Sequence, residues 1–244
     1  MIQFRFKDYH WICLAMFYKS LFLLLYLSGL SVPAYCYLQK DIDNFNETQQ
    51  CFKCDLTRSV IKLKITNKPN PIQIKESYLS NAKIQATDFD GSEIIDSNCM
   101  RILIANSSFN TSTFNGLNII YSLIDNVKFI NSEFNNVNWN FSQFINTTFN
   151  QDVFINSSFS NSDLKYSQFI NSSLENIDFS QSDLRGVVFY GSKFKNINFK
   201  NADLRKANFN NTNVEIAELD SSLSYLCATL PDGTVYDNNG KECC

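Results

Sequence analysis

Histidine, glycine and proline are scarce in this chain, and charge is thin. Of 244 residues one is His, seven are Gly and four are Pro. So few turn formers cannot punctuate a succession of tight hairpins, which argues against an antiparallel meander. Charged residues make up 18% and the formal net charge is −3, so neither sign dominates. A hydrophobic fraction of 44% nevertheless places the chain among ordered proteins. What is abundant is Phe, with 22, and Asn, with 31. A bias of that kind points to repetition.

The N-terminus carries one apolar stretch, Ser20 to Leu30, preceded by Lys19 and followed by Val32, Pro33 and Ala34. A membrane span needs about 20 apolar residues, and Lys19 interrupts the stretch that begins at Trp11. The segment 1–34 therefore reads as a secretory signal peptide, with Val32 and Ala34 as the small residues of the cleavage site and Tyr35 as the first mature residue. A start at Met16 would give a more compact signal, and lipidation at Cys36 is disfavoured by the bulk of Tyr35 before it. The expected location is outside the cytoplasm, periplasmic or extracellular. Removing 1–34 leaves 18 Lys and Arg against 23 Asp and Glu, a net charge of −5, and takes away His10. Without imidazole, Ser-His-Asp and Cys-His nucleophiles and His metal sites are excluded from the mature chain. We assign no catalytic residue, cofactor or metal ligand, and expect a protein that is not an enzyme.

A period of five runs through the rest. From Leu79 to Leu219 every fifth residue is apolar, 29 positions without a gap: 15 Phe, six Leu, five Ile, and one each of Val, Trp and Cys. Two residues before each, 21 of 29 are Ala, Ser or Thr, seven are Val, Ile or Leu, and one is Asp152. One large and one small inward residue in every five fits neither the two-residue period of a strand nor the 3.6 of a helix. A short turn must follow each short strand.

The units Ser162-Asp163-Leu164, Ser182-Asp183-Leu184, Ala202-Asp203-Leu204 and Ala207-Asn208-Phe209 resemble the A-(D/N)-L-x-x motif of the pentapeptide-repeat family. The resemblance covers about 145 of 210 mature residues and implies an all-β fold, a right-handed quadrilateral β-helix of about seven coils. Four units to a coil would stack residues 20 apart. Phe89, Phe109, Phe129, Phe149, Phe169, Phe189 and Phe209 then form one core column, and Ile84, Ile104, Ile124, Phe144, Leu164, Leu184 and Leu204 another. Phe in one column and mainly aliphatics in the other would fix the register, since a slip by one unit mixes them. At about 4.8 Å per coil the rod is on the order of 35 Å long. Trp139, the largest inward residue, is expected to swell or bulge its coil, and Cys99 to be a buried free thiol.

A solenoid needs its ends covered. The expected organisation is a signal at 1–34, an N-terminal cap at 35–76, the repeat array at 77–221 and a C-terminal cap at 222–244. Residues 39 to 50 are polar and plausible as a helix. They lead into Cys51-Phe52-Lys53-Cys54-Asp55-Leu56, which is similar to the C-x-x-C-D-L lead-in of the family. Leu56 and Ile61 start a frame out of phase with the array, so residues 62 to 73 are expected to hold a resetting loop. Cys36, Cys51, Cys54, Cys227, Cys243 and Cys244 all lie outside the array. In an exported chain they favour disulfides, and Cys227 with Cys243 or Cys244 is the pairing expected first, although six Cys allow 15 connectivities. No thioredoxin-like pattern surrounds Cys51 and Cys54, and no second C-x-x-C supports zinc.

The outer positions are mostly Asn, Ser and Thr, and between Ile102 and Ser162 only Asp125, Lys128, Glu133 and Asp152 are charged. Basic residues gather later, from Arg185 to Lys206, but Asp183 and Asp203 interleave with them, so nucleic acid is not the expected partner. Eight N-x-S/T triplets are accounted for by an Asn- and Ser-rich repeat. The expected function is an exported structural or protein-interaction scaffold with an unknown protein partner, without a membrane span after cleavage, and with an end-to-end homodimer open. The alternative that the resemblance implies is mimicry of DNA to bind a topoisomerase or other nucleic-acid enzyme, which requires a dense acidic surface.

Overall fold

The computed structural model describes residues 35–61, 71–85 and 89–237. The expected signal segment, most of the resetting loop, and Cys243 and Cys244 lie outside the described residues, as does the side chain of Cys36. The chain is an all-parallel β-solenoid with four sides. One side is an eight-stranded sheet that climbs from Gln50–Phe52 through Gln73–Lys75 and Glu93–Ile95 to Lys193–Asn198. A second, five-stranded, runs from Val60–Ile61 through Lys83–Gln85 and Leu103–Ala105 to Gln143–Ile145. A third is four-stranded, from Ser108–Asn110 to Gln168–Ile170. The fourth is a line of single parallel bridges joining Tyr78, Asn98, Asn118, Asn138, Ser158 and Asp178. Register within the array is 20 residues: Phe109 pairs with Phe129, and Phe129 with Phe149.

Each side is short because the chain turns after every inward residue. The residue two beyond each central position has φ between about +47° and +70°, at every described corner from Asn81 to Asn211. Asn and Gly occupy that left-handed region at least strain, and of these 26 corners 13 are Asn and four are Gly. The excess of Asn thus has a backbone cause.

Inside, the Phe column from Phe89 to Phe209 is fully buried. Its successive rings stack 4.7 to 5.3 Å apart, within 24° of parallel. Neighbouring columns meet edge to face, as Phe129 does Phe134 at 5.2 Å and 79°. Offset stacks and edge contacts are the two arrangements that aromatic quadrupoles favour. Trp139 is also fully buried, stacked on Phe159 at 6.0 Å. The expected bulge is absent. The Asn138 and Trp139 N–H groups keep their ladder bonds to Leu117 and Ser158 at 2.8 Å, and the smaller Ile119 occupies the place below. Cys99 is buried and free, its thiol pushed up to about 12 by burial.

The small inward position is rich in Ser because its hydroxyl serves two backbone groups at the corner. The N–H of Ser112 donates to Ser132 Oγ at 3.1 Å, and that hydroxyl lies 3.2 Å from the Phe109 carbonyl, to which it donates. The same pattern joins Ile102, Ser122, Ser142 and Ser162 in another column.

Both boundaries of the array move outward. Gln50–Phe52 and Val60–Ile61 already belong to the sheets, and Cys51, Leu56 and Ile61 are buried beneath Ile74, Leu79 and Ile84. The first coil therefore starts near Gln50 rather than at 77, with an offset of 23 where three extra residues are accommodated. At the other end Ser224 and Thr229 bridge Asp203 and Asn208, an offset of 21. The N-terminal end is covered by helix α1, Tyr35–Thr48, whose Phe45 is buried in the core. The C-terminal end is covered by the short helix α2, Ile216–Leu219, and by an antiparallel bridge between Thr229 and Val235.

Phe129 touches rings above, below and beside it. Phe129→Ala is expected to lower unfolding free energy by about 3–5 kcal/mol, and Phe129→Leu by clearly less, in equilibrium denaturation monitored by circular dichroism.

Candidate functional site

With the interior given to packing, function must reside in inward residues that break the pattern or in the outer faces. One inward residue breaks it. Asp152 stands in a column whose other members from Ser92 to Ser192 are Ser, and it joins their ladder: Ser132 N–H donates to Oδ1 at 2.7 Å, and its own N–H donates to Ser172 Oγ at 3.2 Å. Its second oxygen has no hydrogen-bond partner. A Ser there would donate to a carbonyl of the coil below, which a carboxylate cannot do unless it is protonated. Burial accordingly drives the carboxyl up to about 7, against the lowering pull of the Ser132 and Asn150 backbone N–H groups. No other titratable side chain shares this column.

The consequence has a definite sign. Below pH 3.8, the ordinary value, folded and unfolded chains both carry the proton. Between there and about 7 only the unfolded chain releases it, so stability falls as pH rises, by on the order of 4 kcal/mol in all, and is level above. Asp152→Ser is expected to remove this contribution to the slope and to raise the melting temperature at pH 8, read by thermal unfolding across pH 4–8.

The outer corners carry a second departure. Tyr121 and Phe141 hold φ of 55° and 58°, where bulky residues are outliers. They stand half exposed, stacked at 5.1 Å, with the Arg101 guanidinium 6.0 Å from the Tyr121 ring. Leu103 and Leu123 lie partly exposed beside them, and Ile145 is exposed. Fold does not require these rings. Replacing both, Tyr121→Asn with Phe141→Asn, is expected to leave the melting temperature unchanged or higher, by differential scanning calorimetry.

Farther along the same five-stranded side the surface becomes ionic. Asp163, Asp183 and Asp203 bridge one another in register, with Lys165, Arg185 and Arg205 two residues on. Arg185 forks onto Asp183 at 2.8 and 2.6 Å, and Arg205 onto Asp203 at 2.9 and 2.6 Å. Lys165 Nζ is 2.9 Å from Asp163 and 3.7 Å from Asp183. Burial pushes the Asp183 carboxyl up, but hydrogen bonds and charge from Arg185, with Lys165, outweigh it and hold the group below its ordinary value. The paired lysine and arginines are raised by the same contacts, the Asp163 hydrogen bond first for Lys165.

Among the cysteines, Cys51 and Cys54 are joined by a disulfide beside the Ser77 hydroxyl, which accepts the Cys54 N–H at 3.3 Å. Cys227 is also disulfide-bonded. Among the described residues no group of three or more His, Cys, Asp or Glu is placed to hold a metal ion, and no helix is long and apolar enough to cross a membrane. The period located the Phe column and flagged Asp152 as the exception. It did not announce the corner geometry, although Asn at half of the corner positions was its signal.

Residues 132–209 match the family described as the pentapeptide repeat region. No curated protein matches the chain. Solved structures similar to it include HetL, a pentapeptide repeat protein involved in heterocyst differentiation regulation in Nostoc sp. strain PCC 7120. It is 12% identical over 82% of this chain and 98% of that one, with a TM-score of 0.31. QnrB1, a plasmid-mediated fluoroquinolone resistance protein, is 14% identical over 62% and 90%, with a TM-score of 0.28. A pentapeptide repeat protein of the Arabidopsis thaliana thylakoid lumen is 15% identical over 62% and 81%, with a TM-score of 0.19. The match, the five-residue unit and its left-handed corner identify residues 132–209 as a pentapeptide repeat region, and the same unit and corner extend from Asn81 to Asn211.

Proposed function

We propose that this protein is an exported scaffold, not an enzyme, that acts through contacts of its outer surface. One observation carries the reading. Inward positions are filled by packed side chains and interlocked hydroxyls, whereas the exposed rings and paired ions, such as Tyr121 with Phe141 and Asp183 with Arg185, stand on the outer surface. Export is supported by the signal-like segment before Tyr35 and by the disulfides at Cys51–Cys54 and Cys227, which oxidising compartments sustain. Mimicry of DNA draws no support from the charges. The carboxylates of Asp163, Asp183 and Asp203 are each matched by a cation, so they form no uninterrupted acidic stripe.

Fractionation of a C-terminally tagged chain expressed from its own start tests the reading. The expected product is outside the cytoplasm, begins at Tyr35, and is lighter by about 2 Da per disulfide than its reduced form. A cytosolic product with free thiols would overturn export.

A further inference from the structure

Tyr121 and Phe141 do not stand alone at their corner. It joins the side of single bridges to the five-stranded side, and each coil brings to it one outward residue from either side. Met100 and Ile120 flank it on the bridged side, Leu103 and Leu123 on the other, all four partly exposed. The N–H groups of Arg101, Tyr121 and Phe141 donate to the carbonyls of Ile120, Asn140 and Ser160 at 2.9, 3.2 and 3.1 Å, which holds these coils in register. Six apolar side chains thus cover the crest and both slopes of one edge, over about 10 Å of the rod. Beyond Phe141 the same corner is polar again, with Asn161, Gln181 and Asn201. Bulky rings at positive φ carry backbone strain that the fold does not require, and such outliers collect where a protein acts.

Shape and charge select what meets this edge. It is convex, whereas a small molecule is held in a concavity, and two such edges from two copies would touch only along a line. A lipid surface closes round a ridge without a matching groove. The edge is also nearly uncharged. On its two sides, in these three coils, Arg101 and Asp125 are the only charged residues, and Asp125 is set back beyond Leu123 towards the next corner. Lys128 and Glu133 belong to the four- and eight-stranded sides. Asn140 and Gln143 flank Phe141, and the Asn140 Oδ1 is already taken by the Ser158 hydroxyl and the Ser160 N–H at 2.6 and 2.9 Å. At the upper end the charge of Asp163 is matched by Lys165. At the lower end Arg101 lies against the Tyr121 ring, with Lys83 one coil below, and neither belongs to an ion pair among the described residues. Aromatic rings among aliphatic side chains, bordered by unpaired basic groups, are the composition that settles at a bilayer interface. The long basic side chains can then reach the headgroup phosphates.

We propose that this edge inserts into the headgroup region of an anionic lipid bilayer and lays the rod along the membrane surface. The proposal rests on the scaffold reading and deepens it by naming what the scaffold is attached to. The test is flotation with lipid vesicles of the purified mature chain, from Tyr35 onward so that the apolar stretch Ser20 to Leu30 takes no part. The chain is expected to float with mixed phosphatidylcholine and phosphatidylglycerol, and less with phosphatidylcholine alone. Tyr121→Asn with Phe141→Asn, folded by circular dichroism, is expected to lower binding to both by about tenfold or more. Arg101→Gln is expected to lower binding to the mixed vesicles by about fivefold, the weight of one basic residue near an anionic surface, and to leave binding to phosphatidylcholine unchanged. Tyr166→Asn, which removes a more exposed ring at another corner, is expected to change neither. Wild-type protein that floats with neither lipid, equal flotation with both, a double variant that floats like the wild type, or loss of flotation in Tyr166→Asn would each overturn the proposal. The first of these would leave the edge to a protein with a concave face. Each leaves the scaffold reading standing, because fractionation tests export separately and needs no lipid.

Discussion

Everything in this rod depends on one backbone constraint, the residue held at positive φ after each inward side chain. It turns the chain by about a quarter of a coil. Four such turns bring residue i over residue i+20, which puts like side chains in columns and lets strands of three residues find partners. Short strands alone would not persist. The columns supply the cooperation, because each N–H and C=O of a strand bonds to the coil below or above. The price is a left-handed residue every five, which Asn and Gly bear at least strain.

The interior follows from the same turn. Stacking at the strand spacing sets rings 4.7 to 5.3 Å apart and makes a Phe column favourable. The corner also turns one N–H and one C=O inward, and Ser satisfies both. Asp152 is instructive because it meets only half of that requirement while ionised. Its place in the ladder is secured by Oδ1, and the free Oδ2 makes the proton part of the fold.

The outside is divided along the rod. Aromatic and aliphatic groups occupy early coils, and paired ions the later ones, on the side built around Ile84, Ile104 and Ile124. Surface ion pairs contribute little stability singly. Their value here is geometric, since a ladder repeating at each coil holds long side chains in a fixed pattern.

Much of this molecule is legible in its residues alone. The five-residue period, the Phe column, a helical cap near 39 to 50 and a buried Cys99 follow from residue type and spacing, because every unit obeys the same local rule. Three things are decided only when the chain wraps. The first coil starts near Gln50 because Cys51, Leu56 and Ile61, whose separate frame the residues do show, stack under the array at an offset of 23. Trp139 fits without a bulge because the column below it is narrow at Ile119. The ionic ladder exists because residues 20 apart become neighbours, so that Lys165 lies near Asp183 and Arg185 near Asp203. Period is a one-dimensional property and can be read along the chain. Contact between coils is two-dimensional, and depends on how each turn disposes of its extra or missing residues.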